Sequence, residues 1–156
     1  MTGESSESSE SSESSESSES RTVSLYEYVG GDDFFVRLVE AFYEGVETDD
    51  VLLPLYPEPA DLGPARRRLA LFLIQYWGGP TTYLDERGHP KLRMRHFPFR
   101  IGAVERDRWV HHMLRAVERT TDDDQVRTML IDYFVPAAEH LRNDTGLPIS
   151  SAKPAP

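Results

Sequence analysis

From Asp33 onward the apolar residues fall at Phe34, Phe35, Leu38, Val39, Phe42, Tyr43 and Val46. Steps of one, three and four draw a single stripe down an amphipathic helix. The same period recurs at Ala65, Leu69, Phe72, Leu73 and Tyr76, behind a Pro64 suited to a first helical turn. It returns from about Gly102, where Glu105, Trp109, His112, Met113 and Ala116 share adjacent faces and Val104, Val110, Leu114 and Val117 widen the stripe. The cleanest period is the last: Val126, Met129, Leu130, Tyr133, Phe134, Ala137, Ala138 and Leu141. Thr121-Asp122-Asp123-Asp124 starts that helix, with acids at the positive end of its dipole, and Pro136 is expected to kink it.

Breakers fall between these segments. Ser24 and Glu27 have the spacing of a capping box for a short helix that Gly30-Gly31 stops. Thr48-Asp49-Asp50 ends the Phe34 helix and caps a short turn carrying Val51, Leu52 and Leu55, and Tyr56-Pro57-Glu58-Pro59 reads as loop. Gly78-Gly79-Pro80 breaks the Leu69 helix, and residues 80–90, rich in Thr, Tyr, Gly and Pro, read as irregular. Arg66-Arg67-Arg68 reads as a solvated helix start. No stretch alternates with period two, so the body is predicted to be all α, with about five substantial helices.

Composition changes the picture mainly at the ends. Residues 1–22 are expected to form a disordered Ser/Glu-rich tail, because E-S-S repeats from Glu4 to Ser20 offer nothing apolar to bury. That stretch holds six of the 27 acidic residues, so the net charge of −10 falls to −4 for the remainder and says little about its partners. The polar segment from Asn143 to Pro156 is expected to be a second disordered tail, leaving one folded domain at 23–143. The chain has no cysteine, which excludes disulfides, thiolate catalysis and Cys-ligated metal. Met1-Thr2-Gly3-Glu4 lacks the basic and apolar regions of a signal peptide, and the longest apolar run, Leu69 to Ile74, is too short for a membrane span. A cytoplasmic protein without membrane partners is the expectation.

The densest chemistry lies in R-G-H-P-K-L-R-M-R-H-F-P-F-R, Arg87 to Arg100. Pro98 disfavours helical geometry at the residue before it, so a turn begun after Pro90 should run out near His96. An imidazole at a helix end has carbonyls within reach to hold one ring nitrogen, which frees the other for a metal. Leu92, Met94, Phe97 and Phe99 flank it with apolar surface, and Lys91, Arg93, Arg95 and Arg100 with cations that pair with carboxylates. One axial ligand to a haem with its propionates among basic residues would suit this stretch, and so would a satisfied core histidine. The other histidines, His89, His111, His112 and His140, suggest no joint site, and the acids read as exposed or capping. No glycine-rich nucleotide loop is present, so any chemistry belongs to a bound cofactor. Tyr43, Tyr56 and Trp109 each join an apolar body to one hydrogen-bonding tip, and core packing would explain them equally well.

Several motifs occur together: F-Y-E-G-V from Phe42, L-P-L-Y-P-E from Leu53, L-x-x-F-L-x-Q-Y-W-G-G-P from Leu69, Y-x-x-x-R-G-H-P-K-L-R-M-R-H-F-P-F from Tyr83, and E-R-D-R-W from Glu105. In these the chain closely resembles group II truncated haemoglobins over about Ser24 to Asn143. The resemblance implies a two-over-two helical sandwich around haem b. It implies His96 as proximal iron ligand and Tyr43, Tyr56 and Trp109 as a distal ligand cage. Ala65 falls where many globins carry a distal histidine, and Leu69 lies over the iron. Arg95, with Tyr83 and Arg68, matches propionate-side positions, while Phe72, Leu92, Phe99 and Ile101 match porphyrin walls. The Ser/Glu tail and the spacing near Pro59-Ala60 depart from the family pattern.

The expected function is binding of O2, CO, NO or other diatomic ligands. NO-detoxifying or peroxidase-type turnover would be served by an unidentified reductase, and the protein would be a monomer or homodimer that binds no nucleic acid. The competing expectation is a haem-free helical interaction module whose basic Lys91–Arg100 stretch contacts an acidic partner such as RNA.

Overall fold

A computed structural model describes residues 22–143, and the two expected tails lie outside them, except for Thr22 and Asn143. Seven α-helices run in order: α1 Leu25–Tyr28, α2 Asp32–Val46, α3 Gly63–Tyr76, α4 Thr82–Arg87, α5 Leu92–His96, α6 Ala103–Thr120 and α7 Asp124–His140. A 3-10 turn, Leu53–Leu55, lies between α2 and α3, and the described residues contain no strand. The four long helices pair as α2 with α3 and α6 with α7, and the two pairs are layered through the α2–α6 contact. That is the expected two-over-two arrangement.

The stripes read from the sequence largely become the core. On α2 all seven apolar positions are buried, from Phe34 to Val46. On α7 the buried set narrows to Val126, Leu130, Phe134 and Ala138. On α3 it is Ala65, Ala70, Phe72, Leu73 and Ile74, whereas Tyr76 is half exposed and Leu69 only partly covered. Val104 is also exposed, since it precedes the first full turn that faces α2.

Caps fall close to the expected places. Ser24 Oγ accepts from Glu27 N, at 3.2 Å, which is half of the expected capping box. Asp123 Oδ1 accepts from the amides of Gln125 and Val126, while its Oδ2 accepts from the Tyr28 hydroxyl at 2.9 Å and ties α1 to the start of α7. At the turn after α3, a Cβ on Gly78 would stand 2.6 Å from Ser24 Cβ, and its φ of +106° favours glycine independently. This lets α1 lie directly on the turn, with Tyr26 N donating to Trp77 O.

Three expectations need correction. Residues 80–90 are not wholly irregular, because Thr82–Arg87 forms α4. No Gly or Pro lies inside that six-residue stretch, Gly88 at φ +78° stops it, and Gln75 Oε1 accepts from Leu84 N. The arginine triplet is not simply a solvated start: Arg66 bridges Glu40 and Glu47, and Arg67 makes a two-pronged bond to Glu86. Asn143 belongs to the fold and not to a tail, since its side chain bonds Ile101 N and the carbonyls of His96 and Phe99.

The α2–α6 crossing is unusually close. A Cβ on Gly45 would stand 2.3 Å from His112 Nδ1 and 2.9 Å from Cγ, so the whole imidazole lies over a backbone position without a side chain. Replacing Gly45 by Ala is expected to force the helices apart and destabilise the protein by about 1–3 kcal/mol, the usual cost of overpacking. Thermal melts of Gly45→Ala against the parent check this, and an unchanged midpoint would contradict it.

Candidate functional site

His96 ends α5 as the Pro98 argument requires, with Phe97 as C-cap. Its Nδ1 lies 2.7 Å from the carbonyl of Leu92, one turn earlier. A carbonyl can only accept, so Nδ1 carries the proton and Nε2 is left with a lone pair. The ring is half-buried, as are Leu92, Phe99 and Ile101, whereas Met94 and Phe97, also expected to flank it, are exposed.

Helix α5 packs extensively against none of the other helices. Hydrogen bonds hold it instead. Arg93 donates to the carbonyls of His140 and Arg142 at the end of α7. Arg95 donates from Nε to Pro90 O at 2.6 Å and from Nη2 to the carbonyls of Arg87 and His89. Asn143 grips the His96 and Phe99 carbonyls from the other side. Two of the four cations expected to face a partner are therefore turned onto the chain's own backbone, which disfavours the interaction-module reading. Only the Nη1 protons of Arg95 are left for a carboxylate.

Two of the three aromatics meet directly, and the third is linked to them through Phe42. Tyr43 on α2 and Tyr56 after the 3-10 turn meet edge to face, with ring centroids 5.7 Å apart. Trp109 on α6 lies 5.2 Å from Phe42, which lies 5.0 Å from Tyr43. Burial raises the Tyr43 phenol, while the neighbouring Tyr56 hydroxyl and the charges of Arg68 and Arg66 lower it in part. Burial pushes Tyr56 well above its ordinary value, and Tyr43 adds to the effect. Both phenols stay neutral, and therefore remain donors, at neutral pH.

Several of the remaining expected residues belong to the core. Ala65 and Phe72 on α3 and Tyr83 on α4 are buried, with Phe72 and Tyr83 rings 5.7 Å apart, and Leu69 packs against the same core. Arg68 is near enough to act on Tyr43, and the Arg66 cation stands 5.6 Å from the Tyr43 ring centre. Of the open grooves, one of about 640 Å³ reaches Leu92, between Tyr76 and α7. Another of about 610 Å³, between α6 and α7, touches none of the expected site residues. Among the described residues no helix is long and apolar enough to cross a membrane.

One acid escapes the expectation that acids lie at caps and on exposed faces. Asp49 is 5% exposed and accepts from His112, Arg108 and the amides of Val51 and Leu52. Burial pushes its carboxyl up, but these four donors outweigh that and bring it from 3.8 down to about 2. A depressed carboxyl contributes stability that is present above 3.8 and lost as pH falls through about 2. The melting temperature, followed by circular dichroism, should therefore fall between these values, and Asp49→Asn should flatten that part of the curve. Parallel curves for the two proteins would contradict the assignment.

The chain matches the model of the bacterial-like globin family over residues 24–143. It is 37% identical over 120 residues to the group 2 truncated haemoglobin YjbI of Bacillus subtilis, covering 77% of this chain and 89% of that one. Among solved structures, a thermostable haemoglobin from the actinobacterium Thermobifida fusca is 56% identical with a TM-score of 0.75, covering 78% of this chain and 98% of the other. The group II truncated haemoglobin of Bacillus anthracis is 34% identical with a TM-score of 0.73, again over 78% and 98%. An oxygen-avid truncated haemoglobin from B. subtilis is 36% identical with a TM-score of 0.72, over 78% and 100%. This chain belongs to the bacterial-like globin family and is a group II truncated haemoglobin, a haem-based binder of oxygen and other small gaseous ligands.

Proposed function

We propose that the chain holds haem b on His96 Nε2 and that Tyr43, Tyr56 and Trp109 form a hydrogen-bonding cage tuned to retain O2. The donor set fits the group: a neutral imidazole with its second nitrogen held by a carbonyl is a good axial ligand. Ala65, Leu69, Phe72, Leu92, Phe99 and Ile101 supply apolar surface for the macrocycle, and Arg68, Tyr83 and the Nη1 protons of Arg95 supply donors for its propionates. Haem iron, when bound, supplies the coordination of the diatomic ligand.

The observation that carries the proposal is the meeting of the two phenols, ring centres 5.7 Å apart, with Trp109 joined to them through Phe42. Burial keeps both phenols neutral, so either can donate to a ligand, joined by the Trp109 indole. O2 gains partial negative charge on its outer atom in such a site and CO gains less, so these donors favour O2 selectively. A hydrogen bond to a charged group contributes about 1.5–3 kcal/mol. By the rule of 1.4 kcal/mol per tenfold, one good donor slows O2 release by ~10–100-fold. The oxygen-avid B. subtilis relative is in keeping with this reading.

A retained O2 also suits reaction with nitric oxide or turnover of peroxide in the cytoplasm, with a separate reductase returning the iron to the ferrous state. We place the function in ligand retention first, with such turnover as its use.

Stopped-flow dissociation checks the cage. Trp109→Phe keeps most of the bulk and loses the donor, so O2 release should quicken far more than CO release. Tyr43→Phe should have a smaller effect because Tyr56 can turn its proton to the ligand. Equal O2 rates in every variant would reduce the aromatics to packing. For the iron ligand, His96→Ala should lose the Soret band or hold haem weakly, with partial rescue by free imidazole, while His111→Ala keeps it. A parental ferrous-CO spectrum in His96→Ala would refute the assignment.

A further inference from the structure

The cage is assembled from three elements, and a single carboxylate stands where they meet. Asp49 is the only buried polar or charged residue among those described. Its carboxylate serves two parts of the chain. Oδ1 accepts from Val51 N at 2.9 Å and Leu52 N at 3.1 Å, and Asp49 O accepts from Leu53 N at 2.9 Å. These bonds start the 3-10 turn Leu53–Leu55, at whose end Tyr56 N donates to Leu53 O. On the other side Oδ1 receives Arg108 Nη1 at 3.1 Å, and Oδ2 receives His112 Nε2 at 2.7 Å. Arg108 and His112 lie one residue before and three after Trp109 on α6. The far side of the His112 ring rests on Gly45, two residues beyond Tyr43 on α2.

We propose that Asp49 is the positioning residue of the distal cage, holding the Tyr56 turn and the Trp109 face of α6 in fixed register so that both donors reach one ligand. The proposal rests on the cage reading above and adds to it the element that sets the cage's geometry. Packing contributes through Leu52, which is buried, but Leu53 and Leu55 of the turn are only partly covered, and Trp109 is linked to the tyrosines through Phe42. Without the carboxylate, the amides of Val51 and Leu52 lose their acceptor, and Arg108 and His112 no longer pull α6 toward the turn. Asp49 never touches the ligand. Its effect passes through the aim of Trp109 and Tyr56.

The test uses the haem-loaded full chain and measures O2 and CO dissociation in Asp49→Ala and Asp49→Asn, each alone and combined with Trp109→Phe. Misaiming such a donor, rather than removing it, should forfeit part of its effect and correspond to ~3- to 10-fold faster O2 release. Asp49→Ala should lie at the upper end. Asp49→Asn, which keeps an acceptor for the two amides, should lie at the lower end and guards against a variant that fails to fold. CO release should change by less than about twofold. In the Trp109→Phe background most of the Asp49 effect should disappear, because residues acting as one unit are not additive. Amide exchange gives a readout independent of ligand: Val51 and Leu52 should exchange faster in Asp49→Ala. Unchanged O2 release in both Asp49 variants, with Trp109→Phe itself fast, overturns this proposal and leaves the cage standing. Full additivity with Trp109→Phe overturns it too, since it assigns Asp49 a separate structural effect. If Trp109→Phe leaves O2 release unchanged, the cage reading fails and the proposal with it.

Discussion

The absence of a side chain at residue 45 governs the distal half of the molecule. Because Gly45 lets the His112 imidazole lie on the α2 backbone, α2 and α6 cross more closely than two side-chain layers allow. Phe42 and Trp109 can then touch across the crossing, and Tyr43 beside Phe42 is brought toward the same space. The same crossing delivers Arg108 and His112 to Asp49. A buried carboxylate is costly unless its oxygens are paired, and here four donors from two segments pair them. Sequence, packing and the aim of the donors are linked through one close contact.

The proximal half is built on a different principle. Helix α5 is too short to bury a stripe and has little packing of its own. Its position is set by hydrogen bonds between charged or amide side chains and backbone carbonyls, from Arg93, Arg95 and Asn143. Bonds of this kind fix direction well, as the Leu92 carbonyl does for the His96 ring.

Most of the fold was legible because burial follows the 3.6-residue period. The α2 stripe reads correctly at every position from Phe34 to Val46. The end of α5 at His96 was legible for a separate reason, the steric demand of Pro98 on the residue before it. Helix α4 was hidden because the Gly and Pro of its flanks dominate the composition of 80–90, while the fork from Arg67 and the bond from Gln75 act across sequence. The candidate site divides in the same way. His96 and the aromatics stand out by type and motif, whereas Asp49 looks like a helix-stop residue among Thr48 and Asp50. Its partners Arg108 and His112 lie 59 and 63 residues away, a pairing that only the α2–α6 crossing creates. Asn143 escaped notice likewise, since its bonds reach back 42 to 47 residues from a segment that is polar throughout.

On the proposed reading His96 offers Nε2 to iron while the Leu92 carbonyl holds Nδ1. The iron–histidine stretch in the resonance Raman spectrum of the ferrous, ligand-free protein reports this bond. One such band is expected, which shifts when the histidines carry nitrogen-15 and is lost in His96→Ala while persisting in His112→Ala. A spectrum without the band, or one that His96→Ala leaves unaltered, would contradict it.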